Sequence, residues 1–164
     1  MPDRLPLPKH VFRDAMARLA SAVTIVTTDG AGGRHGFTAS AVCSVSDDPA
    51  TLLVCVNRSA STHAHLVANG LLGINILTHD QESLSTLFGS SRHDMETRFA
   101  AGRWKRGEIG MPLLVDALVS MECRIAQMQE VGTHTVMFVE PLCAEFLRSD
   151  ISGLVWFDRA YRRA

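Results

Sequence analysis

The sequence predicts a mainly β protein, an antiparallel barrel with helices packed outside it. Three observations carry that expectation. Six or seven runs rich in apolar and β-branched residues are joined mostly by short turn sequences. The helical periodicities between them are few and short. The chain has 164 residues, 46% hydrophobic and 20% charged, which suits one globular domain spanning residues 1–164.

Residues 8–20 read as a helix, because Val11, Phe12, Ala15, Met16, Leu19 and Ala20 share one face at helical spacing. Residues 22–28 are β-branched and read as a strand, and the glycine-rich residues 29–33 turn the chain. Residues 35–45 read as one return strand, broken by Asp47-Asp48-Pro49. Residues 51–56 are apolar on both faces, so a central strand is expected. Residues 61–69 read as a helix opened by a hydroxyl cap and closed by Asn69-Gly70. A strand over 71–77 precedes a helix capped by Thr78 or Asp80 and ended by Gly89. Residues 90–112 read as a polar excursion with one amphipathic piece at 95–99. Alternation predicts a long strand over 117–129, a turn at 131–133 and a partner strand over 134–148. A last short strand is expected at 154–157.

Several functions are disfavoured. The formal charge is −1 and no basic run interleaves with aromatics, so no nucleic-acid partner is expected. No stretch supplies the ~20 apolar residues of a membrane span, and residues 1–10 lack the core of a signal peptide. Cys43, Cys55, Cys123 and Cys143 form no CxxC pair and read as reduced thiols of a cytoplasmic protein. Gly30, Gly32, Gly33 and Gly36 follow a strand, but a dinucleotide fingerprint needs a helix after them, and here another strand follows. The histidines lack metal-ligand spacing, so no metal site is expected.

Two segments carry a positive signal. In residues 36–46 small hydroxyl residues alternate with apolar ones, a surface able to face a planar ring. In Asn57-Arg58-Ser59-Ala60-Ser61-Thr62 a guanidinium and several hydroxyls stand where a strand gives way to a helix. A helix N-terminus offers unpaired N–H donors to a phosphate, although hydroxyls there are equally ordinary caps. His134 sits beside a turn between two long strands, a position that suits a ligand contact or plain solvation. Trp156, Phe157 and Tyr161 read either as a closing strand or as a wall beside an aromatic ligand.

Together these segments resemble the short-chain flavin reductase family, the reductase components of two-component flavin-dependent monooxygenases. The resemblance lies in Phe12 to Ala20, Val23 to Thr27, Gly36-Phe37-Thr38-Ala39-Ser40 with Ser44-Val45-Ser46, and Asp48-Pro49. It continues through Leu53 to Ser61, Asn75-Ile76-Leu77, Gln81 with Leu84-Ser85, Arg98-Phe99, Gly132-Thr133-His134-Thr135, and Phe157-Asp158-Arg159 with Tyr161-Arg162. It spans nearly the whole chain in order. One departure is Ala41-Val42-Cys43, where many relatives carry Ser or Thr.

The resemblance implies an antiparallel, Greek-key-like split β-barrel that forms a homodimer and binds FMN or FAD. It implies NADH or NADPH as hydride donor, and reduced flavin that diffuses to a partner monooxygenase. Carried over, Thr38, Ala39, Ser40 and Ala41 would lie against the isoalloxazine, with Ser46 nearby. Asn57, Arg58, Ser59, Ser61 and Thr62 would hold the ribityl and phosphate groups. Phe88 and Gly89 would sit near the ring or its chain, His134 would face the nicotinamide nucleotide, and Tyr161 would border the site. Hydride transfer would proceed by alignment, with no indispensable acid, base or nucleophile. The alternative is a flavin- or haem-binding split-barrel module without reductase turnover; an oxidase of pyridoxine phosphates would call for a denser basic cage.

Overall fold

The structure, a computed structural model, describes residues 5–147 and 150–164. Helix α1 (Lys9–Met16) precedes β1 (Ser21–Ala22), β2 (Thr24–Thr28), β3 (His35–Ala39), β4 (Val42–Asp47) and β5 (Ala50–Asn57). Helix α2 (Ser61–Asn69) leads to β6 (Leu71–Ile76). A short 3-10 turn (His79–Gln81) then enters α3 (Glu82–Gly89), followed by α4 (Met95–Ala100). Strands β7 (Trp104–Arg106) and β8 (Pro112–Leu114) form a small hairpin inside the polar excursion. The long strands β9 (Val119–Val131) and β10 (His134–Phe146) pair with each other, and β11 (Leu154–Phe157) and β12 (Ala160–Arg163) close the chain.

Seven of these strands form one antiparallel sheet in the order β3-β2-β6-β9-β10-β5-β4. The single return strand expected over 35–45 is therefore two strands. The chain leaves the sheet at Ser40-Ala41, and β3 and β4 become its opposite edges. The break is held from both sides: Thr24 Oγ1 donates to the Ala39 carbonyl at 2.9 Å, and Cys55 N–H to the Ala41 carbonyl at 3.0 Å. Strand β5, expected to be central, is an internal strand between β10 and the β4 edge, and its Val54 and Val56 are buried in the core. Strand β12 was not expected. It follows a turn in which Asp158 and Arg159 take positive φ values of 49° and 60°, without a glycine to announce them. The predicted partner strand ran to residue 148; β10 ends at Phe146, and Arg148 lies outside the described residues.

The core lies on both faces of the β2–β6 region. Val26, Leu66, Ile74, Cys123 and Met137 fill one side, with α2 over it. Val23, Ile25, Leu77, Phe88, Phe99 and Leu154 fill the other, under α3 and α4. Each face follows the two-residue period of β2, which is buried along its length. A fully buried Asn75 ties β6 to three other strands. Its amide donates to the Ile25 carbonyl at 3.0 Å, and its oxygen accepts from Leu114 N–H at 2.8 Å and Ser120 Oγ at 2.9 Å.

Helix α3 is drawn close to β3. A side chain at Gly36 would place its Cβ 2.8 Å from the Phe88 ring, so only glycine permits this approach. The buried Arg98 guanidinium then spans the joint, donating to the carbonyls of Gly36 at 3.3 Å, Phe88 at 3.2 Å and Ser90. Helix α1 differs from the rest: none of its residues is buried, and its apolar side presents Phe12 at 54% exposure, with Leu19 beyond its end at 62%.

Candidate functional site

The approach of α3 to β3 leaves a cleft of about 410 Å³ between them, lined by Thr38, Ala39 and Ser40 from β3 and its exit, Ser85, Thr86 and Gly89 from α3, and Trp156 and Tyr161. Such a volume suits a small-molecule ligand. Thr38 Oγ1 donates to the Ser85 carbonyl at 2.6 Å, and Ser85 Oγ and Tyr161 OH share a hydrogen bond at 2.9 Å. Tyr161 meets Trp156 edge-on with ring centroids 4.9 Å apart, so the wall opposite β3 is aromatic and fixed. Because β3 is an edge strand, its outer backbone groups have no strand partner; Arg98 and His35 take those of Gly36.

A second cleft, of about 560 Å³, opens where β5 passes into α2. It is lined by Asn57, Arg58, Ser59, Thr133 and His134, with Lys9, Phe12 and Arg13 from α1. Strand pairing fixes its floor, since His134 lies opposite Asn57 in the β5–β10 register. Asn57 Oδ1 accepts from both Ser59 N–H and Ser59 Oγ at 2.9 Å, which folds the turn. Arg58 N–H donates to the Thr133 carbonyl at 3.0 Å. The Arg58 guanidinium donates to the Gly132 carbonyl at 2.6 Å and pairs with Glu130. Three cations thus line this cleft in a chain whose net charge is −1. A third depression shares Ser40 and Trp156 with the first cleft and Lys9, Phe12 and Arg13 with the second, so the three adjoin in succession as a groove beside α1.

The structure gathers most of the expected residues along this groove: Thr38, Ala39, Ser40, Gly89 and Tyr161 at one end, and Asn57, Arg58, Ser59 and His134 at the other. Ala41 is exposed just beyond Ser40. The others lie elsewhere. Ser46 stands at the far end of β4, where its Oγ accepts from Asp48 N–H at 3.2 Å. Phe88, expected near the ring or its chain, is buried at 1% exposure between Phe99 and Trp104. Ser61 and Thr62 do not cap α2, whose N-cap is Ala60, and instead hold His35.

That histidine was not singled out by its sequence context. Its Nδ1 accepts from Gly36 N–H at 3.0 Å, so it carries no proton, and Thr62 Oγ1 donates to it at 2.9 Å. Nε2 then donates to Ser61 Oγ at 3.2 Å. Burial, with the neighbouring His65 and Arg98 charges, lowers the His35 pKa from 6.5 to about 4. The neutral ring joins α2 to β3 and so braces both ends of the groove. Lys9, Arg13, Ser85 and Thr86 are further groove residues to which the sequence assigned no role; the four-residue spacing of Lys9 and Arg13 on one helix was the available signal.

Residues 16–164 match the flavin reductase like domain family. The chain belongs to that family. Among its relatives is the FMN reductase (NADH) RutF of Variovorax paradoxus, 52% identical over 98% of this chain and 89% of that protein. The fold is shared with BorF, the flavin reductase component of a bacterial two-component tryptophan halogenase (TM-score 0.87, 31% identity, 95% of this chain and 98% of that one). It is also shared with the NADH:FAD oxidoreductase of Streptomyces globisporus C-1027 in complex with NAD and FAD fragments (TM-score 0.88, 29% identity, 98% and 96%). The groove of this flavin reductase family member fits a flavin on its own chemistry. An apolar cleft with an aromatic wall and a free strand edge suits the ring system, and a cationic cleft joined to it suits a phosphate.

Proposed function

We propose that this chain is an NADH-dependent FMN reductase, acting as a single domain over residues 1–164, that supplies reduced flavin to a partner monooxygenase. The observation that carries the reading is the continuity of the aromatic-walled cleft with the cationic one. The 52% identical relative supports FMN and NADH as the pair, and the halogenase reductase component supports delivery to a second enzyme.

When bound, the flavin supplies the hydride acceptor. The chain's own residues bind and align. Thr38, Ala39, Ser40 and Ala41 offer the edge of β3 to the ring, where backbone N–H groups favour negative charge on its pyrimidine side. Tyr161, held by Ser85, fixes the opposite wall and excludes water, and Gly89 leaves the floor open. Asn57, Arg58 and Ser59, joined by Lys9 and Arg13, receive the ribityl and phosphate groups. His134, at the open rim, faces the nicotinamide donor; its Nδ1 lies 2.9 Å from Thr133 Oγ1, which orients the ring. No proton transfer from a side chain is required, so the rate gain comes from holding two planar rings in register.

The same reading makes the protein a homodimer. A second copy accounts for the exposed apolar side of α1 and for Phe146 at 71% exposure. It also places the activity in the cytoplasm, in keeping with four free cysteines and with the lack, among the described residues, of a helix long and apolar enough to cross a membrane. The test is NADH consumption under air with and without FMN. Consumption that requires both protein and FMN is expected. Flavin binding without turnover would identify a flavin-binding module instead.

A further inference from the structure

We propose that Glu130 is a built-in competitor for the flavin phosphate and sets how readily the flavin leaves. The inference rests on the reading of Arg58 as a phosphate contact. Glu130 lies near the end of β9, opposite Thr135 of β10, and its carboxylate pairs with the Arg58 guanidinium. The adjacent Gly132 carbonyl takes a second guanidinium N–H at 2.6 Å. Arg58 therefore reaches over the hairpin with part of its donor set already engaged. Among the described ion pairs, this is the one whose cation lines the second cleft.

A flavin phosphate carries roughly −1.5 to −2 charges at neutral pH. To engage Arg58 it must either displace Glu130 or accept a carboxylate beside it, and both oppose binding. When the phosphate departs, Glu130 recaptures the guanidinium without diffusing to it. The pair is solvent-exposed, with side-chain exposures of 39% and 69%, so the competition is soft and displaceable. Lys9 and Arg13 line the same cleft and are in no ion pair among the described residues, so the cleft keeps its attraction for an anion while its best fork is shared. An enzyme whose product is diffusible reduced flavin needs this combination of attraction and release.

The experiment compares the affinities of FMN and riboflavin for the full-length protein by flavin fluorescence quenching, in wild type, Glu130→Gln, Arg58→Ala and the double variant. Riboflavin lacks the phosphate, so the ratio of the two affinities isolates the phosphate contact. Glu130→Gln is expected to tighten FMN about 3- to 5-fold, to leave riboflavin unchanged, and to slow FMN release by a similar factor. The gain should vanish in the Arg58→Ala background. Weaker FMN binding in Glu130→Gln would overturn the proposal and make Glu130 a brace for Arg58. An equal change for both flavins, or a gain that survives Arg58→Ala, would overturn it too. If the wild-type protein bound neither flavin, the functional reading itself would fall, and this inference with it.

Discussion

Asn75, fully buried on β6 between β2 and β9, commits both ends of its amide to three fixed partners, whereas Arg58, at the rim of the second cleft, holds a hairpin tip through two contacts that solvent can reach. Both are polar side chains that join separate strands. The difference lies in what happens when a partner is exchanged. In the interior no water stands ready to replace a lost hydrogen bond, so each bond is structural. At the groove, water, a carboxylate or a phosphate can each satisfy a guanidinium, so contacts can trade. The fold puts permanent polar bonds inside the sheet around β6 and exchangeable ones at the tip of the β9–β10 hairpin.

The largest test of that contrast is Asn75→Ala. It takes a partner from Leu114 N–H, the Ile25 carbonyl and the Ser120 hydroxyl, which keeps only the Leu114 carbonyl at 3.3 Å, and is expected to cost about 3 kcal/mol in chemical denaturation. A loss under about 1 kcal/mol would mean that the interior tolerates exchange after all. His35 is an intermediate case, buried but titratable. The unfolded chain takes up a proton near pH 6.5 that the folded chain refuses until about pH 4. Stability from this group is complete above pH 6.5 and is lost as pH falls toward 4, by about 2 kcal/mol after allowance for partial solvation. Thermal unfolding between pH 7 and 4 should show the loss in wild type and a shallower one in His35→Asn. Arg58→Ala is the smallest. It is expected to raise the KM for FMN about 10-fold (about 1.4 kcal/mol) and to leave kcat at saturating FMN within about 3-fold. A 100-fold fall in kcat would show that Arg58 acts on the hydride step.

Much of this was legible from residues alone, for reasons that differ by element. Helix α2 shows itself over 61–69 because Gly70, with φ of 66°, ends it in the left-handed region that glycine favours. The β9–β10 hairpin shows itself through alternation on both sides of Gly132. The split at Ser40-Ala41 does not. The pattern of small and apolar residues runs through it without a break, and only pairing with distant β2 and β5 reveals that the two halves go to opposite edges. Strand β12 is hidden because Asp158 and Arg159 make a turn that usually advertises itself with Asn or Gly. In the site, Thr38 to Ser40 and Asn57 to Ser59 stand out as candidates because adjacent residues carry the hydroxyl and guanidinium groups that line the two clefts. The bonds of Ser61 and Thr62 to His35 could not be read, because His35 is 26 and 27 residues away on another strand. The packing of Phe88 could not be read, because aromatic character alone does not say which side of a helix faces a cavity and which faces Phe99 and Trp104.

The claim at the centre of the account is that the cleft between β3 and α3 receives the ring to be reduced. Gly89 gives direct access to it, since it lines the cleft, and a Cβ added there would meet Thr38 only at ordinary contact distance, 3.7 Å. FMN-dependent NADH oxidation should therefore be measured for Gly89→Phe beside wild type, with the melting temperature of each. The account predicts that a phenyl ring in the cleft abolishes the FMN-dependent rate while the melting temperature stays within a few degrees. An unimpaired rate in that variant would contradict it.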